Sequence, residues 1–298
     1  MTPAPLIVGE VRDLHIQAVA ARLHTEPVVL DGESLRTTPF LLDSSHLEVA
    51  NTMAFSVRGW LRRLSPPGWL EAADDPGIDG AIRSSFLAVL AAVLRTPHIE
   101  WLSTVDAIGA VENKAVQYRL VERAGCSVPT WLVTTDPGRA PIAGEWVAKP
   151  LGPGYFRTDD GPRVVPVAHF DLRQHNDLTG AAFLLQRRVD ATRHARVVTV
   201  RGRVFSAALL NDGLPLDWRQ DARAHISFVP YEDEPLGQMA LAAADACGVR
   251  FSSQDWIQDC SGRWWFVDLN PGGQWLFLPE PVSSPVTDAL ARWLEGEN

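Results

Sequence analysis

At 298 residues the chain is longer than one ordinary small domain, and its 46% hydrophobic content suits two or three lobes that bury a substantial core. The formal charge of −9 argues against a nucleic-acid partner, because phosphate backbones demand a basic surface; a single nucleotide neutralised by magnesium and a few local cations is still allowed. No stretch reaches the roughly eighteen apolar residues of a membrane span, and the start, Met1-Thr2-Pro3-Ala4-Pro5, lacks the basic and apolar segments of a signal peptide.

In chain order, Leu6 to Gly9 reads as a first strand, Asp13 to Leu23 carries apolar residues at helical spacing, and Pro27 to Leu30 is a second strand. The Trp- and Arg-rich segment Ala54 to Leu64 alternates loosely until Pro66-Pro67-Gly68 stops it, and Ala81 to Leu94 is an amphipathic helix. These form a small α/β lobe. From Val105 the character changes. Asn113 to Ala124 is a helix with Ala115, Leu120, Val121 and Ala124 on its apolar side, and Gly125 ends it. Strands follow at Thr130 to Thr134 and Glu145 to Lys149. Residues 151–180, rich in Gly, Pro, Asp and Arg, read as a mobile, solvent-facing part of a second lobe, with one apolar run at Val164 to Val167. The last third is mostly strands: Phe183 to Gln186, Arg196 to Val200, Val204 to Leu210, Phe251 to Gln258 and Arg263 to Leu269. Helices are expected at Leu236 to Cys247 and Val286 to Leu294. The three cysteines, Cys126, Cys247 and Cys260, show neither metal spacing nor an even disulfide count, which points to a reduced, cytoplasmic setting. Cys126 and Cys247 fall on apolar helical faces, where cysteine acts as a small buried hydrophobe.

The sharpest chemical signal is Asp255-Trp256-Ile257, a turn at Asp259 to Gly262, and then Phe266-Val267-Asp268-Leu269-Asn270-Pro271. Strand side chains alternate faces, so Asp268 and Asn270 point to one side, and a hairpin brings Asp255 beside them. Two carboxylates and an amide oxygen make a hard-oxygen site suited to Mg2+, which keeps positions for phosphate and water. The alternative, a surface hairpin with scattered acids, makes poor sense of paired acids next to Trp264-Trp265-Phe266.

Asp255 followed after thirteen positions by Asp268-Leu269-Asn270-Pro271 resembles the metal-binding core of the ATP-grasp superfamily. Other segments match in order. Asn113-Lys114, opening a helix that ends in Ala124-Gly125, resembles the first phosphate-contacting lysine segment, and Trp146-Val147-Ala148-Lys149-Pro150 the strand of the second lysine. Phe183-Leu184-Leu185-Gln186 resembles the hinge strand that holds adenine, and Arg196 the arginine that meets the γ-phosphate. Asn270-Pro271-Gly272-Gly273-Gln274-Trp275, Asp217-Trp218-Arg219 and Trp60-Leu61-Arg62-Arg63 look like signatures of the graspetide (microviridin-type) maturases within that superfamily. Two departures stand out. His194 occupies the position where relatives carry a ribose-binding acid, leaving Asp190 as a candidate substitute. The loop Leu151-Gly152-Pro153-Gly154 is short and contains proline.

The resemblance implies an α/β, three-lobed ATP-grasp fold: an N-terminal pre-ATP-grasp domain at 1–105, a central lobe at 106–182 and a C-terminal lobe with the metal site at 183–298. It implies ATP and Mg2+ as cofactors, with adenine near Gln186 and Val189, phosphates on Lys114, Lys149 and Arg196, and metal on Asp255, Asp268 and Asn270. An acidic side chain of a ribosomal precursor peptide becomes an acyl phosphate, captured by a Thr or Ser hydroxyl or a Lys amine. Arg219 is the cation left over to hold the substrate carboxylate. The segment Phe156 to Asp177 is the candidate for docking the precursor's leader, and a homodimer is the expected assembly. An ATP-grasp ligase for an amino acid or peptide tail, and a non-catalytic nucleotide-binding module, are the competing readings.

Overall fold

The computed structural model describes residues 4–37, 39–44, 47–49, 52–54, 58–63, 76–136, 139, 144–151, 155–158, 161–164, 167–170 and 182–297. Two compact units emerge, one of residues 1–106 with 284–298 and the other of residues 107–283. No helix among the described residues is long and apolar enough to cross a membrane.

The first unit is α/β. Its elements are β1 (Leu6–Val8), α1 (Leu14–Ala20), β2 (Val28–Leu30), α2 (Gly32–Thr37), β3 (Phe40–Leu42), β4 (Leu47–Val49), β5 (Thr52–Ala54), β6 (Arg58–Leu61), α3 (Pro76–Val93) and β7 (Glu100–Trp101). β2-β1-β6-β7 form a parallel sheet, and β3-β4-β5 an antiparallel meander. Leu6-Ile7-Val8 is an unbroken apolar run because β1 is interior to a parallel sheet, and all three residues are buried. The closing helix, Glu280–Leu294, begins in the second unit, but from Ser284 on it belongs to the first. Arg22 pairs with Asp288 at 2.6 Å, and Arg58 Nη1 donates to the Trp293 and Glu297 carbonyls at 2.7 Å.

α1 starts where Asp13 accepts the His15 N–H at 2.7 Å, a side-chain N-cap. The same carboxylate lies 3.4 Å from the guanidinium of Arg62, which is buried. Burial alone would push the Asp13 carboxyl up, but the His15 hydrogen bonds and the Arg62 charge outweigh it and hold it well below the usual carboxylate range.

The second unit opens within α4 (Val105–Val111), which straddles the boundary, and continues with α5 (Lys114–Arg123), β8 (Trp131–Thr134), β9 (Trp146–Pro150), β10 (Tyr155–Thr158), β11 (Gly161–Val164), β12 (Ala168–Phe170) and β13 (Phe183–Arg187). Then come β14 (Arg193–Val200), β15 (Arg203–Leu210), a 3-10 turn at Trp218–Gln220, α6 (Ala222–Ile226), β16 (Val229–Pro230), α7 (Glu234–Ala246), β17 (Phe251–Gln258) and β18 (Trp264–Asn270). β12-β9-β13-β8 and β16-β15-β14-β17-β18 are antiparallel sheets, and β10-β11 is a separate hairpin. Part of the 151–180 stretch, expected as a mobile loop, is therefore regular structure: β12 pairs with β9, and Phe170 lies against Phe183 with ring centres 6.1 Å apart. Of the leader-docking candidate Phe156 to Asp177, positions 159–160, 165–166 and 171–177 lie outside the described residues.

α5 and α7 pack on the five-stranded sheet through Val121, Ala240, Ala243, Trp256, Phe266 and Leu269. The buried side of α5 differs from the expected one: Gln117, Tyr118 and Val121 face inward and Ala124 is exposed. Two polar side chains are tolerated there because the sheet offers them backbone partners. Gly125 adopts φ +84° at the helix end, where other residues are strained. Cys126 and Cys247 are buried and Cys260 is exposed; Cys126 follows α5 rather than lying on it.

Replacing Asp13 by Ala removes both the α1 cap and the carboxylate beside Arg62. A loss of at least about 1 kcal/mol is expected for the cap, rising toward roughly 3–5 kcal/mol because a buried ion pair is broken. Because the folded pKa is depressed, this contribution is complete above the carboxylate's unfolded pKa of about 3.9 and is lost as pH falls through the lower folded value. Urea titrations of both proteins at neutral pH and in acid check this: their difference should shrink only in acid.

Candidate active site

Asp255 lies at the centre of one cross-strand row. In register it pairs with Arg196 on β14 and with Asp268 on β18. The row forms because of a bulge. Trp256 pairs with Phe266 and Asp255 with Asp268, so Val267 is an extra residue on β18. Strict alternation would put Phe266 on the same face as Asp268. With Val267 inserted, Phe266 and Leu269 both turn into the core while Asp268 and Asn270 share the other face.

Among the described residues β18 is the last strand of its sheet, so one backbone edge lacks a strand partner there. Side chains of α5 take its place. Gln117 accepts the Leu269 N–H at 3.0 Å and donates to the Leu269 carbonyl at 2.7 Å. The Tyr118 hydroxyl is 2.8 Å from the Val267 carbonyl and 2.6 Å from Gln186 Oε1, with one hydrogen to share between them. Lys114, on the first turn of α5, donates to Asp268 at 2.6 Å. Positions 114, 117 and 118 are neighbours on one helix face, and so reach one strand together.

The charges pair off. Arg196 Nε is 3.3 Å from Asp255 Oδ1, its Nη1 donates to Ser253 Oγ at 3.1 Å, and its guanidinium lies 5.5 Å from the Phe277 ring centre. Burial pushes the Asp268 carboxyl up, but Lys114, together with the charges of Lys149 and Arg219, outweighs it and holds the group below its ordinary value. Lys149 on β9 is buried and donates to Gln186 Oε1 at 2.6 Å, to the Tyr118 hydroxyl at 3.1 Å and, more weakly, to the Val267 carbonyl at 3.4 Å. Burial, helped by Lys114 and Arg219 and opposed by Asp268 and Asp255, lowers its pKa to about 7. Burial, with the same two acids, pushes the Tyr118 hydroxyl well above its ordinary value, so it stays a donor.

Gln186, assigned to adenine from the sequence, has its carbonyl oxygen engaged by Lys149 and Tyr118. Asp190, exposed in the segment after β13 that also holds Val189, pairs with Arg188 at 3.0 Å. His194 on β14 is partly buried, and burial lowers its pKa against the pull of Asp255 and Asn211, which favours the neutral ring. The fork of Arg219, expected to hold an incoming carboxylate, holds Asp217 through Nε and Nη2, both at 2.7 Å. Asp217 is buried, whereas the Arg219 side chain is 49% exposed, so the cation's outer edge faces solvent. The hydrogen bond and charge of Asp217 raise the Arg219 pKa further, against its burial. Asn270 Oδ1 accepts the Gly272 N–H at 2.9 Å, leaving a second lone pair.

Asp255, Asp268 and Asn270 are hard donors on one face of one hairpin, a set that fits Mg2+. Arg196 Nε makes no hydrogen bond among the described residues and is held by the charge of Asp255 at 3.3 Å.

No family model matches the chain, and no curated protein does. Solved structures match over nearly its whole length. A Chryseobacterium gregarium RiPP-associated ATP-grasp ligase, in complex with ADP and a leader and core peptide, aligns at TM-score 0.84 and 17% identity, covering 98% of this chain and 96% of that one. Macrocyclase MdnC from Microcystis aeruginosa MRC, bound with precursor peptide MdnA, gives 0.79 at 18% identity over 97% and 98%. PsnB, an ATP-grasp ligase complexed with a minimal precursor, Mg and ADP, gives 0.76 at 19% identity over 97% and 98%. The chain has the ATP-grasp fold.

Within that fold, sequence reasoning found the acids and the cations but missed Gln117, Tyr118 and Ser253. A usable signal existed for the first two: polar side chains one turn after Lys114 and one turn before Val121, on a helix that must bury one face. Ser253 carried none.

Gly273 follows Asn270-Pro271-Gly272 and is buried; a Cβ there would come within 2.3 Å of Ser253 Cβ and 3.1 Å of the Asn270 carbonyl. Gly273→Ala should therefore push the turn away from β17 and cost roughly 1–3 kcal/mol, the usual range for overpacking, measured as a lower urea midpoint with unchanged slope.

Proposed function

We propose that the chain is an ATP-grasp ligase that modifies a ribosomal precursor peptide, of the graspetide (microviridin-type) class. The carrying observation is the row Arg196–Asp255–Asp268 across three adjacent strands, closed by Lys114. The fold shared with precursor-bound ligases, and the Asp217-Trp218-Arg219 and Gly273-Gln274-Trp275 runs, support the peptide substrate.

In this reading Asp255, Asp268 and Asn270 hold Mg2+. When bound, the metal screens the phosphates and withdraws charge from the group being transferred. Lys114 and Arg196 would then exchange their carboxylate partners for phosphate oxygens, whose negative charge they offset in part. Lys149, held by Gln186 and Tyr118, adds a buried cation to the phosphate side. Adenine falls to the backbone near Val189, and the ribose to Asp190 or His194. The lobes that hold the nucleotide are those drawn at 106–182 and 183–298.

The substrate's Asp or Glu carboxylate attacks the γ-phosphorus; the new C–O–P bond forms as the bond to ADP breaks. A Thr or Ser hydroxyl, or a Lys amine, then displaces phosphate and leaves an ester or an amide. Arg219, oriented by Asp217, presents its exposed edge to the acidic side chain. No protein nucleophile is required, since positioning and charge neutralisation supply the catalysis. The setting is cytoplasmic and the assembly a homodimer.

The test is Asp268→Asn, which keeps the shape and removes the hard anionic ligand. Precursor-dependent ADP release should fall to background while the circular dichroism spectrum and melting temperature stay near those of the parent. Near-normal turnover at saturating Mg2+ contradicts the metal assignment.

A further inference from the structure

Leu269 stands between two of the three proposed metal ligands, and both its peptide groups face α5 rather than another strand. Its N–H donates to Gln117 Oε1 at 3.0 Å and its carbonyl accepts from Gln117 Nε2 at 2.7 Å. A side-chain amide thus does what the next strand's peptide unit would do at that point of the sheet edge. Gln117 is itself fixed: it is buried, and Nε2 donates also to the carbonyl of Val111.

The grip falls where the strand is least regular. Val267, immediately before Asp268, is the bulge residue, so ladder pairing alone holds this segment poorly. Leu269 Cα is bonded through one peptide group to Asp268 and through the other to Asn270. Fixing both groups sets the direction of both ligands.

We propose that Gln117 is a positioning residue of the metal site, acting through the two peptide groups of Leu269 to aim the oxygens of Asp268 and Asn270. The inference rests on the Mg·nucleotide reading above and adds to it a residue that touches neither metal nor nucleotide. Groups that orient a ligand from outside the coordination shell commonly tune metal affinity.

The experiment follows Mn2+ binding by the loss of its free-ion electron paramagnetic resonance signal, with ADP present, in the parent and in Gln117→Met. Gln117→Met keeps the length and volume and removes both bonds to Leu269 together with the one to the Val111 carbonyl. Should it not fold, Gln117→Glu, which keeps the acceptor for the Leu269 N–H, is read instead. The expected result is a Kd for Mn2+ weaker by roughly 10–100-fold, with the number of sites per folded protein and the affinity for ADP without metal unchanged. A merely structural role leaves Kd as it is and lowers only the number of sites, and that outcome overturns the proposal. Absence of Mn·ADP binding in the parent overturns the functional reading and this inference with it, whereas equal constants in parent and variant overturn this inference alone.

Discussion

An edge strand closed by a helix's side chains is the constraint on which the site depends. β18 carries two of the three proposed metal ligands, yet it is the outermost strand of its sheet and bulged at Val267. Left to its ladder it would have polar backbone groups without partners along one side. Gln117 and Tyr118 of α5 close that side through the backbone of Leu269 and Val267, and Lys114, one turn earlier, holds the Asp268 carboxylate. The hydrophobic packing of Tyr118 and Val121 against Phe266 and Trp256 brings the helix close enough for these bonds. Core and site are therefore one construction: α5 reaches β18 through the same face that fills the core.

The electrostatics follow from the same arrangement. Lys114 faces Asp268 and Arg196 faces Asp255, so cations and carboxylates balance one another. A half-buried carboxylate beside a lysine is held ionised, which is the state a magnesium ligand needs. Lys149 differs from Lys114 and Arg196, because its three oxygens, from Tyr118, Gln186 and Val267, are neutral and burial weakens its hold on a proton. An adjacent phosphate would restore that hold.

Much of this was legible in the sequence, for physical reasons. The unbroken Leu6-Ile7-Val8 run announces an interior parallel strand, and the two acids flanking a turn announce the hairpin that joins them. Val267 gave no sign of being a bulge, because it reads like any strand valine; only the pairing of Phe266 with Trp256 reveals the shift. The meander β3-β4-β5 escaped because Leu47-Glu48-Val49 and Thr52-Met53-Ala54 are short and mixed in polarity, without the unbroken apolar run that marks Leu6-Ile7-Val8. The pairing of Arg219 with Asp217 follows from their spacing of two residues, but that both carboxylate oxygens enter the guanidinium fork is seen only in three dimensions. That residues from Ser284 on group with the first unit is a tertiary fact that local pattern does not encode.

The central claim is that the paired acids bind a metal that carries the nucleotide. Calorimetric titration of ADP into the full chain, once with Mg2+ and once with EDTA, tests it most directly. The account predicts one site per chain with Mg2+ and an affinity lower by at least about tenfold without it, equivalent to roughly 1.4 kcal/mol, because Asp255 and Asp268 then repel the phosphates. Equal affinity in the two titrations would contradict it.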